Sequence, residues 1–176
     1  IRSVNGGRTA LGEGMSIDSM PLPRRPARDR SVWILPGLGL NTPEAVTARL
    51  ADADVAKLLP RMVQHVEGGG RIAASCSSVF LLQAAGLLVG RRVTTTWWLA
   101  PHLQRQAPEC MVDANQMVCV DLPLITAGAA FAQSDLMLHL LREHCGAELA
   151  DLVSRMTLLD ARRAQAPFIV PEVMAG

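Results

Sequence analysis

The sequence predicts an α/β domain with a mostly parallel sheet covered on both faces, and three observations predict it. Short apolar runs alternate with stretches of helical periodicity, the pattern of strands joined by helical crossovers. One run, Arg71-Ile-Ala-Ala-Ser75, feeds directly into Cys76-Ser-Ser and then a segment that is apolar on every side. At 176 residues, 49% hydrophobic and 19% charged, the chain suits a single domain with a substantial core and is too apolar for disorder.

Up to Arg30 the chain is rich in Gly, Pro, Ser and Arg, so short extended pieces and loops are expected, with the basic stretch 24–30 a solvated loop. Residues 31–35, Ser-Val-Trp-Ile-Leu, read as a buried strand closed by the Pro36-Gly37-Leu38-Gly39 turn. Thr42 before Pro43 and Glu44 starts a helix: the hydroxyl caps free N–H groups and proline is tolerated in the first turn. Val55, Leu58, Leu59, Met62, Val63 and Val66 form the apolar stripe of a second helix, which Gly68-Gly69-Gly70 ends. Arg71 to Ser75 is a strand, Cys76-Ser-Ser the turn, and residues 79–85 a buried helix that stops at Gly86. Residues 93–95 read as a strand and 97–106 as a helix stopped by Pro108. Residues 117–120 and 124–126 form a hairpin around Asp121-Leu122-Pro123, and 131–145 and 147–159 are two helices separated by Gly146. No repeat and no low-complexity tract is present.

The formal net charge is only +1, which removes the positive field by which a nucleic-acid binder attracts phosphates. No apolar run approaches the roughly 20 residues of a membrane-spanning helix, so a soluble protein without membrane contact is expected. The cysteines, Cys76, Cys110, Cys119 and Cys145, include no C-x-x-C pair, and a chain of this size needs no disulfide staples, so a reducing cytoplasm is expected. No secretory leader pattern opens the chain, which begins at Ile1, and a segment upstream of it is expected.

The segment around Cys76 is the most informative. A nucleophile on a strand-to-helix turn projects beyond the carboxyl ends of the strands, where backbone N–H groups and the helix dipole favour negative charge. Thiolate is the nucleophilic form of cysteine, so such turns are where cysteine chemistry is found. The bland alternative is a small buried hydrophobe, and the local context leaves both open for Cys76. Cys110, Cys119 and Cys145 are assigned to the bland one.

The run Cys76-Ser-Ser-Val-Phe-Leu-Leu-Gln-Ala-Ala-Gly-Leu-Leu-Val-Gly-Arg-Arg-Val-Thr-Thr-Thr through Trp97 and Trp98 resembles class I glutamine-amidotransferase-like domains of the PfpI superfamily. It is similar in particular to the amino-terminal domain of AraC-type transcription regulators. The Pro36-Gly37 turn, Leu124-Ile-Thr-Ala-Gly128 leading to Ser134-Asp-Leu-Met-Leu-His139, and Arg163-Ala-Gln165-Ala-Pro-Phe168 follow in the family's order, so the likeness runs from about Trp33 to Phe168. The resemblance implies a flavodoxin-like three-layer sandwich, a homodimer, and a helix-turn-helix DNA-binding domain outside this chain. It also implies that the family's first strand and helix lie before Ile1.

Catalytic relatives place a histidine after the Thr-Thr pair, close to the cysteine. Thr96 stands there in this chain, and its hydroxyl takes up no proton near neutral pH. His102, further along, reaches the cysteine only with a shift of register, and the acidic residue that relatives place beside it belongs to the strand and helix before Ile1. His65, His102, His139 and His144 show no metal-site spacing, so no metal and no cofactor is assigned. His139 reads as a satisfied core residue, and Asp135 as a capping or surface residue with a dimer contact as the alternative. Trp97 or Trp98 either lines the cleft or packs in the core. By analogy with the family, backbone N–H groups near Gly37, Leu38 and Ser77 form an anion-binding or oxyanion-type pocket.

The expected function is a non-catalytic sensor and dimerisation domain of an AraC-type regulator. It takes a small polar ligand at Gly37, Leu38, Cys76, Ser77, Thr96 and Trp97, and touches DNA only through a domain outside this chain. The rivals are a cysteine-dependent amidase or hydratase with Cys76 as nucleophile, and a purely structural dimerisation module.

Overall fold

Four strands form the central sheet, in the order β4-β5-β9-β8: β4 (Val32–Leu35), β5 (Arg71–Ser75), β9 (Leu124–Ala127) and β8 (Val118–Asp121). This is a computed structural model, and it describes residues 1–12, 14–23, 30–159 and 162–170. Of the expected basic loop at 24–30, all but Arg30 lies outside the described residues. β4, β5 and β9 run parallel, with Trp33 opposite Ile72 and Ala73 opposite Ile125, while β8 returns antiparallel as the expected hairpin.

Because side chains alternate across a strand, Ile72 and Ala74 of β5 join one core and Ala73 joins another. The first core lies under α1 (Pro43–Leu50), α2 (Ala53–Glu67), α3 (Val79–Ala84) and α4 (Ala100–Gln106), where Val46, Met62, Phe80 and Leu103 are buried. The second lies under α5 (Ala132–Cys145), through Leu136 and Leu140, and α6 (Ala147–Met156) packs on α5. Helices thus cover both faces of a mainly parallel sheet, a three-layer sandwich of the flavodoxin-like kind.

Local chemistry sets the boundaries. Thr42 Oγ1 accepts from Ala45 N–H at 3.2 Å and Pro43 opens α1. The stripe of α2 buries Val55 and Met62. Its end is shaped by His65, whose ring stacks on Trp33 with centroids 4.3 Å apart and bonds the Arg71 carbonyl at 3.1 Å through Nε2. Gly70 passes so close that a Cβ there would lie 2.1 Å from that ring.

Several expectations need correction. The extended pieces near the amino terminus form a small sheet of their own, β1 (Arg2–Ser3), β3 (Met15–Pro21) and β2 (Gly7–Gly12), in the order β1-β3-β2. The strand expected at 93–95 stops early. β6 (Arg92–Val93) pairs with β7 (Met111–Val112), whereas the Thr94 N–H turns to Thr126 Oγ1 and Thr95 Oγ1 turns to the Cys76 carbonyl. The helix expected from Trp97 begins at Ala100, with Pro101 in its first turn and Trp97 in the turn before it. α6 ends at Met156 rather than 159, because Leu158 takes φ +56°, outside any right-handed helix.

Side-chain roles shift as well. His139 is half-buried rather than a core residue, and Cys145 at the end of α5 is exposed rather than buried. Asp135 is buried, not a cap or a surface group. It accepts from Arg162 Nη2 at 2.6 Å and from the Arg162 N–H at 3.2 Å. Helical periodicity marks which face is covered but not what a loop far along the chain brings to it.

Gly70→Ala should lower stability by about 1–3 kcal/mol, the usual cost of overpacking a filled site. Urea unfolding reads this as a lower midpoint with an unchanged slope; a wild-type midpoint would mean that the His65 ring is free to move away.

Candidate functional site

β5 is built of small residues, and its carboxyl end delivers Cys76 at φ +54°, a left-handed conformation uncommon outside glycine. Such a residue persists only where its surroundings over-determine it, and they do here. The Cys76 N–H donates to the Gly128 carbonyl at 2.9 Å, and the Cys76 carbonyl accepts from Thr95 Oγ1 at 2.8 Å. Ser78 Oγ accepts from the Ser75 N–H at 3.0 Å and sits within hydrogen-bond reach of the Leu35 and Ser75 carbonyls. Ser75 Oγ donates to Gln133 Oε1, tying the elbow to α5. The chain then makes one 3₁₀ turn over Cys76–Ser78 and enters α3, of which Val79, Phe80, Leu81 and Leu82 are buried.

Of the residues expected at the site, four converge. Gly37 faces the thiol so closely that a Cβ there would lie 3.1 Å from Cys76 Cβ and 3.7 Å from Sγ. The Leu38 N–H donates to Ser77 Oγ at 3.2 Å, so a ligand would have to displace that hydroxyl to use it. The Ser77 N–H, in the first turn of the 3₁₀ segment, lacks an intrahelical acceptor by position. Thr96 is fully buried and its Oγ1 has no hydrogen-bond partner among the described residues, whereas the neighbouring Thr95 supplies the bond to Cys76. Trp97 is buried and meets Trp98 edge-on at 5.0 Å; Trp98 packs on the core of the α1–α4 face.

No imidazole is hydrogen-bonded to Cys76 among the described residues. His102 instead packs against Phe80, ring centroids 5.7 Å apart, and its Nε2 is buried without a partner. Burial first and Arg105 second hold its pKa below the usual histidine value, against the pull of Glu44. A neutral ring so placed is a packing residue. Cys110 Sγ donates to the Arg91 carbonyl at 3.2 Å and Cys119 Sγ to the Arg92 carbonyl at 3.3 Å. Burial pushes the Cys110 thiol up to about 11 and raises that of Cys119 as well, so both stay protonated at neutral pH. Among the described residues no cluster of His, Cys, Asp or Glu could hold a metal ion, and no helix is long and apolar enough to cross a membrane.

The elbow is closed. Cys76 keeps 7% of its surface, and three cavities among the described residues, of about 660, 420 and 200 Å³, are lined neither by it nor by the other expected site residues. The largest runs between β1 and β4, bordered by Arg2, Ser3 and Val4 on one side and by Val32, Trp33, Ile34 and Leu35 on the other. Sequence reasoning passed over Gln165, which is fully buried and bonded to the loops around the elbow. It has no periodic signature and stood out only as part of the quoted Arg163-Ala-Gln165 motif.

A family model, DJ-1/PfpI, matches residues 29–143, which span the elbow and both strands beside it. The chain belongs to the DJ-1/PfpI family. The HTH-type transcriptional regulator GbdR of Pseudomonas aeruginosa is 28% identical over 148 residues, covering 76% of this chain and 40% of GbdR. The HTH-type transcriptional regulator CdhR of Pseudomonas aeruginosa is 27% identical over 163 residues, covering 90% of this chain and 44% of CdhR. This DJ-1/PfpI chain therefore spans less than half the length of these curated relatives. An AraC family transcriptional regulator from Pseudomonas putida shares the fold at a TM-score of 0.69 and 20% identity, over 89% of this chain and 78% of that one.

Native protein treated with iodoacetamide at mildly alkaline pH should be alkylated at exposed Cys145 first, with Cys110 and Cys119 modified only after denaturation. Peptide mass spectrometry reads the order; Cys110 alkylated as fast as Cys145 would contradict its burial.

Proposed function

We propose that this chain is the sensing and dimerising part of an AraC-type transcription regulator working in the cytoplasm. It binds a small polar metabolite at the Cys76 elbow without transforming it. Contact with DNA falls to a helix-turn-helix domain outside residues 1–176. The observation that carries the reading is a strand-turn-helix elbow of the DJ-1/PfpI kind whose cysteine has no hydrogen-bonded imidazole. A thiol without a base to take its proton suits binding better than turnover. The GbdR and CdhR likenesses support the regulatory role, and the near-zero net charge supports leaving DNA to another domain.

The same reading completes the sheet. β4 is apolar at four successive positions, the pattern of a strand buried on both faces and flanked by neighbours, yet it stands at an edge with Ile34 41% exposed. Natural edge strands carry charges, prolines or bulges, and β4 has none. Between its open edge and that of β1 lies the 660 Å³ cavity. A further parallel strand followed by a helix, from the polypeptide upstream of Ile1, fills that gap. The helix covers Ile34, which lies on the same face of β4 as Val32, the α5 side. In open α/β sheets ligands bind beyond the carboxyl ends of the strands, the end at which Cys76 stands.

Thermal-shift screening against amino acids, amines and small amides should find a ligand that raises the melting temperature. Saturation at 100 times Kd stabilises by about 2.7 kcal/mol, on the order of 5–10 °C for a domain of this size. A substrate turnover by the wild-type chain that Cys76→Ala abolishes would make it an enzyme instead.

Extending the chain upstream with its native coding sequence should slow hydrogen exchange of the Val32–Leu35 amides. Unchanged exchange would remove the extra strand.

A further inference from the structure

We infer that Gln165 is a positioning residue that locks the segment after α6 onto the Cys76 elbow, so that a change at either one loosens the other. Gln165 is 2% exposed, and its side chain bonds three loops, those at Thr94–Thr95, at Ala114–Gln116 and at Ala129. Nε2 lies 3.0 Å from the Thr95 carbonyl, 3.2 Å from Thr94 Oγ1, 3.0 Å from the Ala114 carbonyl and 3.1 Å from the Gln116 carbonyl. Two amide hydrogens shared among four acceptors tie two loops together, and Oε1 adds a third. Oε1 accepts from the Ala129 N–H at 2.9 Å, and the backbone N–H of Gln165 donates to the Asn115 carbonyl at 2.7 Å.

Two of those loops are the ones that grip Cys76. Thr95, whose carbonyl Gln165 holds, donates its hydroxyl to the Cys76 carbonyl. Gly128, which precedes Ala129, accepts the Cys76 N–H, and its missing Cβ is what admits Gln165: a Cβ there would lie 2.2 Å from Cδ and Oε1. The peptide groups on both sides of the strained residue therefore hang from residues that touch one side chain. That side chain belongs to a segment fixed by few other contacts. Ala164 makes an isolated bridge to Gln116, the Arg163 carbonyl accepts from the Met117 N–H at 3.2 Å, and Arg162 pairs with Asp135. Beyond it Phe168 and Val170 are about half exposed. Displacing Cys76 to admit a ligand moves Thr95 and Gly128, and with them three of the five side-chain contacts that hold Gln165 in place, those to Thr94, Thr95 and Ala129. The coupling is a property of this chain; its use as a signal rests on the sensor reading.

Coupling is reciprocal, and both directions are measurable on the 176-residue chain. Methyl methanethiosulfonate converts an accessible thiol to its methyl disulfide with loss of methanesulfinate, and trypsin cuts after exposed Arg163 when the segment lifts. In Gln165→Ala, the rate of Cys76 modification should rise at least ten-fold while that of Cys145 stays the same, and cleavage after Arg163 should accelerate. In the wild type, modification of Cys76 should accelerate cleavage after Arg163, and the same reagent on Cys76→Ala should not. Wild-type Cys76 kinetics in Gln165→Ala, or unchanged cleavage of wild-type protein modified at Cys76, would overturn the inference. If buried Cys110 also reacts in Gln165→Ala, that variant has unfolded, and the wild-type cleavage experiment decides. Coupling without any ligand would leave the lock standing and remove the sensor; a ligand that stabilises the fold yet leaves cleavage after Arg163 unchanged would remove the lock and keep the sensor.

Discussion

The structure depends on holding one non-glycine residue in the left-handed region where β5 ends. That conformation costs roughly 1–2 kcal/mol for an L-residue, so every group around Cys76 is arranged to keep it there. Gly128 and Thr95 hold its two peptide groups, and Ser78 bonds across the turn to Ser75 and reaches the Leu35 carbonyl of β4. The three parallel strands thus have their carboxyl ends linked at the elbow, β9 through the backbone bond from Cys76 to Gly128 and β4 through the Ser78 hydroxyl. Small residues make this feasible: Ala73 and Ala74 let both helical layers approach β5, and Gly37 lets the neighbouring turn pass against the thiol.

What the sequence made legible follows from periodicity and from glycine. The apolar stripe of α2, the direct passage from Ser75 into Cys76 and the hairpin around Pro123 each leave a local pattern, and each is where the pattern puts it. The failures share one cause, which is a partner distant in sequence. Thr94 and Thr95 read as strand residues because they are β-branched, but their bonds go to Thr126, Gln116 and Cys76 instead of a ladder. Asp135 read as a surface group because Arg162, 27 residues later, is invisible to helical spacing. Cys145 read as buried because most free cysteines are, but it ends α5 after Arg142, Glu143 and His144, and is exposed. At the elbow, Gly37, Leu38, Cys76 and Ser77 were legible as a group, whereas Gln165 was not, since a buried amide in a loop carries no pattern.

Charge is arranged locally as well. Arg49 pairs with Asp54, Arg91 with Asp121, Arg92 with Asp113, Arg71 with Glu143 and Arg142 with Asp151. Hydrogen bonds from Arg49 and Arg92 hold the carboxyls of Asp54 and Asp113 below the usual range. Exposed pairs of this kind add little stability each. Their effect is to engage these five arginines with carboxylates of the same chain.

A thiol can be held at an elbow for reaction or for recognition, and the sensor reading proposed above takes Cys76 as held for recognition. Reaction requires a group that takes the proton and room for an acyl carbon beside the sulfur. Here the nearest candidate along the sequence is a buried threonine, His102 is turned onto Phe80, and Gly37 comes so near that one carbon added to it would already touch Sγ. Recognition requires only that occupancy favour one arrangement of the surrounding loops over another. The loops at Thr95 and Gly128 meet that requirement, because they carry the backbone of Cys76 on one side and the amide of Gln165 on the other. On the proposed reading, the strained elbow is kept as a frame whose two flanking loops pass any displacement of Cys76 on to Gln165.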